Sequence, residues 1–189
     1  MFDVEEFVSE CRAALREQQA PLAVKELLKR ALSNPSAIDE ALGVSNKGGI
    51  VPLHQSDDLT VLQIVWPPAV TLFPHDHQMW AVNGIYGGEE ENTFYRRSPD
   101  GLVRSGGKDL DAGDVVVLGR DAIHSVANPR RTYTAAIHVY GGDFFGTPRS
   151  EWDPDTLVEQ PFDVAHLVQV LAEAEAEAAT RAAAIRTGD

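Results

Sequence analysis

From Ile50 the apolar residues stop recurring at helical spacing and begin to alternate, and Gly and Pro cut the chain into short pieces. Leu59-Thr60-Val61-Leu62-Gln63-Ile64-Val65-Trp66 is strand-like, and Pro67-Pro68 ends it. A strand with two histidines follows, then Trp80 to Tyr86, a turn at Gly87-Gly88, and Asn92 to Arg97. A loop from Ser98 to Gly107 leads to an apolar strand after Gly113, and Thr132 to Tyr140 makes another. Short strands between such turns predict an all-β barrel or sandwich over residues 50–152.

The two ends read differently. Phe2, Val4, Phe7, Val8, Cys11, Ala14 and Leu15 recur at helical spacing, with acids between them. Pro21 suits the first turn of a second helix, with Leu22, Val24, Leu27, Leu28 and Leu32 as its apolar positions. Asn34-Pro35 stops it, and Ile38 to Leu42 makes a short helical turn ended by Gly43. The role expected of 1–45 is to cover one side of the barrel. From about Pro161 to residue 189 a C-terminal helix is expected, anchored by His166, Leu167, Val170 and Leu171. There is no internal repeat, and the whole chain 1–189 reads as one domain with a helical extension at each end.

Three places carry chemistry. In Pro74-His75-Asp76-His77 the two histidines are two apart, so an extended backbone points both imidazoles the same way. Such a pair can hold a metal from one side, or it can be an ordinary polar surface pair. Downstream, Gly113 opens an apolar strand, a turn at Gly119 to Asp121 follows, and His124 and Asn128 come next. In Ala135-Ala136-Ile137-His138-Val139-Tyr140, His138 and Tyr140 share a face with Ala136, while Ile137 and Val139 take the other. That pair either serves a site or satisfies its own polar atoms in the core.

Together these stretches resemble the two motifs of the cupin superfamily, which implies a mainly β double-stranded β-helix barrel. The glutamate that the first motif usually carries is absent: Trp80, Ala81 and Val82 stand there. Three histidines without a carboxylate leave a divalent ion with its full charge and open positions. Trp66 ahead of His75-Asp76-His77, His124 with Asn128-Pro129, and Ile137-His138-Val139-Tyr140 are similar to the thiol dioxygenase branch, which includes cysteine dioxygenase and 3-mercaptopropionate dioxygenase. The resemblance implies His75, His77 and His124 as ligands of Fe(II), and His138 and Tyr140 as catalytic residues beside it. The serine that completes this row in the family is Ala136 here. The cysteine-type arginine is missing from Val51-Pro52-Leu53-His54, and Cys11 is too far away for a Cys-Tyr crosslink. The 3-mercaptopropionate branch takes its arginine from shortly after the tyrosine strand, where Arg149 stands. A guanidinium binds a carboxylate bidentately. Arg149 is equally compatible with solvent or with pairing to Glu151, and His54, Arg96 and Arg97 are further pocket candidates.

The expected activity is that of an iron-dependent thiol dioxygenase turning a small thiol, a mercaptocarboxylate such as 3-mercaptopropionate or cysteine, into its sulfinate with O2. Zinc or another divalent metal suits the same ligands. A cupin enzyme acting on a carbon substrate, or a non-catalytic cupin binding a metal or small molecule, are the alternatives. The formal charge of −13, with few basic clusters, argues against nucleic acid and anionic membranes as partners. One cysteine, no apolar leader and no spanning apolar run lead to the expectation of a cytoplasmic protein.

Overall fold

The computed structural model describes residues 1–99 and 101–187. Three helices come first: α1 (Val4–Ala14), α2 (Ala20–Leu32) and α3 (Pro35–Leu42). Asp3 caps α1 by accepting the Glu6 amide at 2.9 Å, and Pro21 lies in the first turn of α2. Asn34-Pro35 does more than stop α2. The Asn34 side chain accepts the Ala37 amide and starts α3, which ends at Gly43 with φ of +86°.

Eleven strands follow among the described residues: β1 (Gly49–Gln55), β2 (Thr60–Trp66), β3 (His75–Asp76), β4 (Ala81–Gly87), β5 (Glu89–Ser98), β6 (Gly101–Asp111), β7 (Val115–Leu118), β8 (Ile123–Ala127), β9 (Thr134–Tyr140), β10 (Ser150–Trp152) and β11 (Glu159–Pro161). They form two antiparallel sheets, ordered β1-β2-β9-β4-β7 and β11-β10-β3-β8-β5-β6. From β2 to β9 successive strands alternate between sheets except at the β5–β6 hairpin, which is jelly-roll connectivity. The fold is therefore mainly β, a double-stranded β-helix with N-terminal helices and a C-terminal helix, α4 (Val164–Thr187). Residues 188 and 189 of the expected tail lie outside the described residues.

Every residue of β2 and β9 is buried, because the first sheet is covered on both faces. Leu62, Ile64, Ala136 and Tyr140 point into the barrel. Val61, Val82, Ile137 and Val139 pack under Phe7, Val24 and Leu28 of α1 and α2. The expected division of the His138 strand into two faces is thus observed, and the N-terminal helices cover one side of the barrel. No helix among the described residues is long and apolar enough to cross a membrane.

Two expectations require correction. The segment 98–107 is no loop: β5 and β6 pair as a long hairpin, with a register shift between Phe94 and Tyr95. Gly106, Gly107 and the polar residues around them carry little strand preference, and pairing along β5 overrides it. Asp100, at the turn, lies outside the described residues. The two-histidine strand is also shorter than expected, since β3 stops at Asp76 and Gln78 takes φ of +55°.

Candidate metal centre

Three backbone segments bring the histidines together. His75 pairs across β3 and β8 with His124, and Glu151 of β10 pairs with His75 on the other side. His77 follows the end of β3. One ring nitrogen from each of His75, His77 and His124 lies within 4.8 Å of the others, and all three side chains are buried.

The remaining ring nitrogens define the tautomers. His75 Nδ1 donates to the Phe73 carbonyl at 3.1 Å, and His124 Nδ1 donates to Asn92 Oδ1 at 2.8 Å. In both rings Nε2 is then the bare nitrogen and faces the cluster. His77 Nε2 lies 3.4 Å from His124 Nε2, and its Nδ1 is buried without a partner. Burial, then the neighbouring His124, holds the His75 and His77 pKa values well below the ordinary 6.5. Burial lowers His124 to about 4, against a partial offset from Glu90. All three imidazoles are therefore neutral near pH 7, the form that ligates a cation. Three converging neutral imidazoles, with Nε2 bare on His75 and His124, fit a divalent metal, and three nitrogen donors suit iron or zinc. The identity of the metal is left open by this donor set.

Beside the cluster is a small cavity of about 20 Å³, lined by the three histidines, Trp66, His138 and Tyr140. The rest of its wall is hydrocarbon, including Ile64, Leu72, Val126, Phe144, Phe162 and Leu167. The cavity has room for about one water molecule, which excludes a polymer. Tyr140 carries the hydroxyl of this lining, and His138 Nδ1 lies 3.0 Å from it. Burial pushes the Tyr140 pKa well above 10, so the hydroxyl keeps its proton at neutral pH.

Arg149 is buried close by but does not line the cavity. Its guanidinium lies 3.4 Å from the centroid of the Phe162 ring and 4.1 Å from that of Phe144. Nη1 donates to the Asp76 carbonyl at 3.1 Å and Nη2 to the Phe144 carbonyl at 3.3 Å. Burial lowers its pKa to about 10, so it stays charged. Glu151, the alternative partner, instead accepts from His166 Nδ1 at 2.7 Å and from Gln160 at 2.8 Å. Arg149 thus fastens the backbone between the two histidines from behind the cavity wall.

The structure does not bring His54 to the site. It stands on β1, contacts Ser56 Oγ at 3.1 Å, and faces a surface depression beside α1 with Arg12 and Arg16. A register shift between Pro52 and His54 and the α1 side of the sheet account for this placement. Arg96 and Arg97 are both exposed, so neither faces the cavity. Arg97 pairs with Glu159 and lies 4.9 Å from the centroid of the Trp152 ring.

Three polar residues of the site were not legible in the motifs. Glu90 is fully buried and accepts from Trp66 Nε1 at 2.7 Å and Asn92 Nδ2 at 2.9 Å. Its Oε2 also lies 3.6 Å from His138 Nε2, an electrostatic contact longer than a hydrogen bond. Asn92 links it to His124. Asn83, directly across from His138 on β4, has both amide atoms buried without a partner. The available signal was strand alternation, which places Glu90, Asn92 and Phe94 on one face. Asn128 is a clamp: its amide donates to the Trp66, Pro67 and Thr132 carbonyls.

No family model matches the sequence. Among solved structures the chain is similar to an RmlC-like cupin family protein with a double-stranded β-helix fold from Methanocaldococcus jannaschii. The identity is 13%, over 52% of this chain and 83% of that one, with a TM-score of 0.44. A Cupin 2 conserved barrel domain protein from Salinispora arenicola matches at 20% identity over 48% of this chain and 72% of that one, with a TM-score of 0.40. An oxalate oxidase in complex with glycolate matches at 17% identity, with a TM-score of 0.40. The match covers 52% of this chain and 53% of the oxalate oxidase. These likenesses are to cupin barrels, and at such identities and scores they say nothing about activity.

Proposed function

We propose that the protein is a non-haem Fe(II) thiol dioxygenase that converts a small thiol, a mercaptocarboxylate such as 3-mercaptopropionate or cysteine, to its sulfinate. The observation that supports this reading best is the convergence of three buried neutral imidazoles, with no carboxylate among them, beside a small cavity whose hydroxyl is Tyr140. The reaction is R–SH + O2 → R–SO2H. Sulfur gives up four electrons and dioxygen accepts four, so no other reductant is needed. His75, His77 and His124 would hold Fe(II), which would supply the redox chemistry that joins thiol sulfur to O2.

The chain's own residues do the rest. The hydrocarbon wall excludes water, which strengthens every polar contact inside. Tyr140 donates a hydrogen bond to His138 Nδ1 when the site is at rest, and rotation of the hydroxyl turns that proton toward an arriving substrate atom. Arg149 acts through its charge, because Phe144 and Phe162 stand between it and the cavity. A buried cation at this depth favours an anionic tail over an ammonium. The apolar wall favours a second reading, an oxygenase acting on an uncharged carbon substrate in the same cavity.

Oxygen uptake by anaerobically Fe(II)-loaded protein, offered 3-mercaptopropionate, cysteine and cysteamine in parallel, separates these readings. Uptake should be matched by sulfinate, with the carboxylate-bearing thiols ahead, and Arg149→Gln should erase that preference. Iron-loaded protein that consumes no oxygen with any thiol would rule the reaction out.

A further inference from the structure

Two donors bind Glu90, and a ring nitrogen faces it. Trp66 Nε1 and Asn92 Nδ2 donate to its two oxygens, and His138 Nε2 faces Oε2 as well. We infer that Glu90 is a positioning residue for the metal centre, fixing the tautomer of the ligand His124 through Asn92 and orienting the His138–Tyr140 pair. The His138 half of this inference rests on the proposed reaction, whereas the His124 half needs only that a metal binds.

A carboxylate only accepts, so Oε1 at 2.9 Å obliges Asn92 to present its NH2 to Glu90. The amide oxygen of Asn92 is thereby turned to His124 Nδ1, 2.8 Å away. That oxygen can only accept, so the His124 ring proton is held on Nδ1 and Nε2 stays bare toward the cluster. Were the amide reversed, NH2 would face Nδ1 and push the proton to Nε2, where it blocks the metal. Only a carboxylate accepts at both oxygens, from Trp66 and from Asn92, at once. A glutamine of the same shape sets donor against donor at one contact or more.

The second arm reaches Tyr140. A proton on His138 Nε2 faces Glu90 Oε2, which leaves Nδ1 to accept from the tyrosine hydroxyl at 3.0 Å. Ala136, where the resembling enzymes carry a serine, is buried among apolar side chains and offers no hydrogen bond. Glu90 provides the polar anchor for His138 that this alanine cannot.

The test uses Glu90→Gln in the full-length protein, with Zn(II) as the probe. Zn(II) affinity is measured by chelator competition, and ring tautomers by long-range 1H–15N spectra. Loss of an outer partner of a ligating histidine typically weakens metal binding by about 10- to 100-fold. A loss in that range is expected, together with movement of the His124 proton off Nδ1 in the metal-free protein. A purely structural Glu90 would leave the tautomer untouched, and an unchanged affinity and spectrum would overturn the inference. Should Glu90→Gln fail to fold, Asn92→Ala keeps the Glu90 carboxylate, removes the link between it and His124, and must show the same loss of affinity. Neither readout requires a thiol, so absence of thiol oxidation would sink the proposed reaction and leave this inference standing. Turnover with unaltered Zn(II) affinity in Glu90→Gln would do the reverse.

Discussion

Tyr140 and Glu90 are both buried ionisable groups, and their environments push them in opposite directions. Tyr140 stays a hydroxyl, so Tyr140→Phe removes a proton donor without adding a charge. Turnover should fall by about 10²–10⁴-fold, the usual reach of a positioned proton donor, while bound metal stays near one ion per chain. Loss of metal in that variant would make Tyr140 structural. For Glu90, burial raises the pKa, but the contacts from His138, Asn92 and Trp66 outweigh it and hold the group below its ordinary 4.5. The unfolded chain therefore takes up this proton first as pH falls. The stability Glu90 contributes is present above about pH 4.5 and is lost as pH falls through its folded-state pKa. The melting-temperature advantage of wild type over Glu90→Gln should shrink on acidification below that point, and an advantage that grows instead contradicts the assignment. The histidines were legible because His75, His77 and His124 have distinctive spacing. Glu90 was not, because Glu89-Glu90-Glu91 reads as a solvated acidic run. Strand pairing decides that Glu89 is half-buried, Glu90 fully buried and Glu91 exposed.

At the scale of elements, α2 rests directly on β4 at Gly84. A Cβ there would lie 2.7 Å from Leu28 Cδ2 and 2.8 Å from Leu32 Cδ1. Gly84→Ala should push the helix outward and cost about 1–3 kcal/mol in denaturant unfolding, as overpacked contacts do. Retention of wild-type stability would mean that α2 does not press on the sheet. The helices and the strands from β2 to β9 were mostly readable from period and punctuation. The β5–β6 hairpin was not, because Gly106 and Gly107 look like loop residues until a partner strand is present. Strands β10 and β11 were missed for a related reason, at three residues each. Yet β10 holds the metal segment: Ser150 N donates to Asp76 Oδ1 at 2.9 Å, and Trp152 N to the Pro74 carbonyl at 2.8 Å. A strand that short has no period of its own to read.

Across the whole molecule, a metal held by the three histidines would join β3, the turn after it and β8, while Phe162 and Leu167 of the C-terminal region close the same cavity. An ion that binds only the folded chain adds about 2.7 kcal/mol at a free concentration one hundred times its dissociation constant. Chelation should therefore lower the melting temperature, and readdition of Fe(II) or Zn(II) should restore it. A chelator-insensitive transition would mean that the three histidines hold no ion. The central claim, a three-histidine centre with open positions, is tested most directly by X-ray absorption on Fe(II)-loaded protein of known metal content. One ion per chain is expected, with a first shell of three imidazole nitrogens and exchangeable light-atom ligands, and with loss of that shell in His124→Ala. Iron that binds equally well in His124→Ala, or a shell without imidazole, would contradict it.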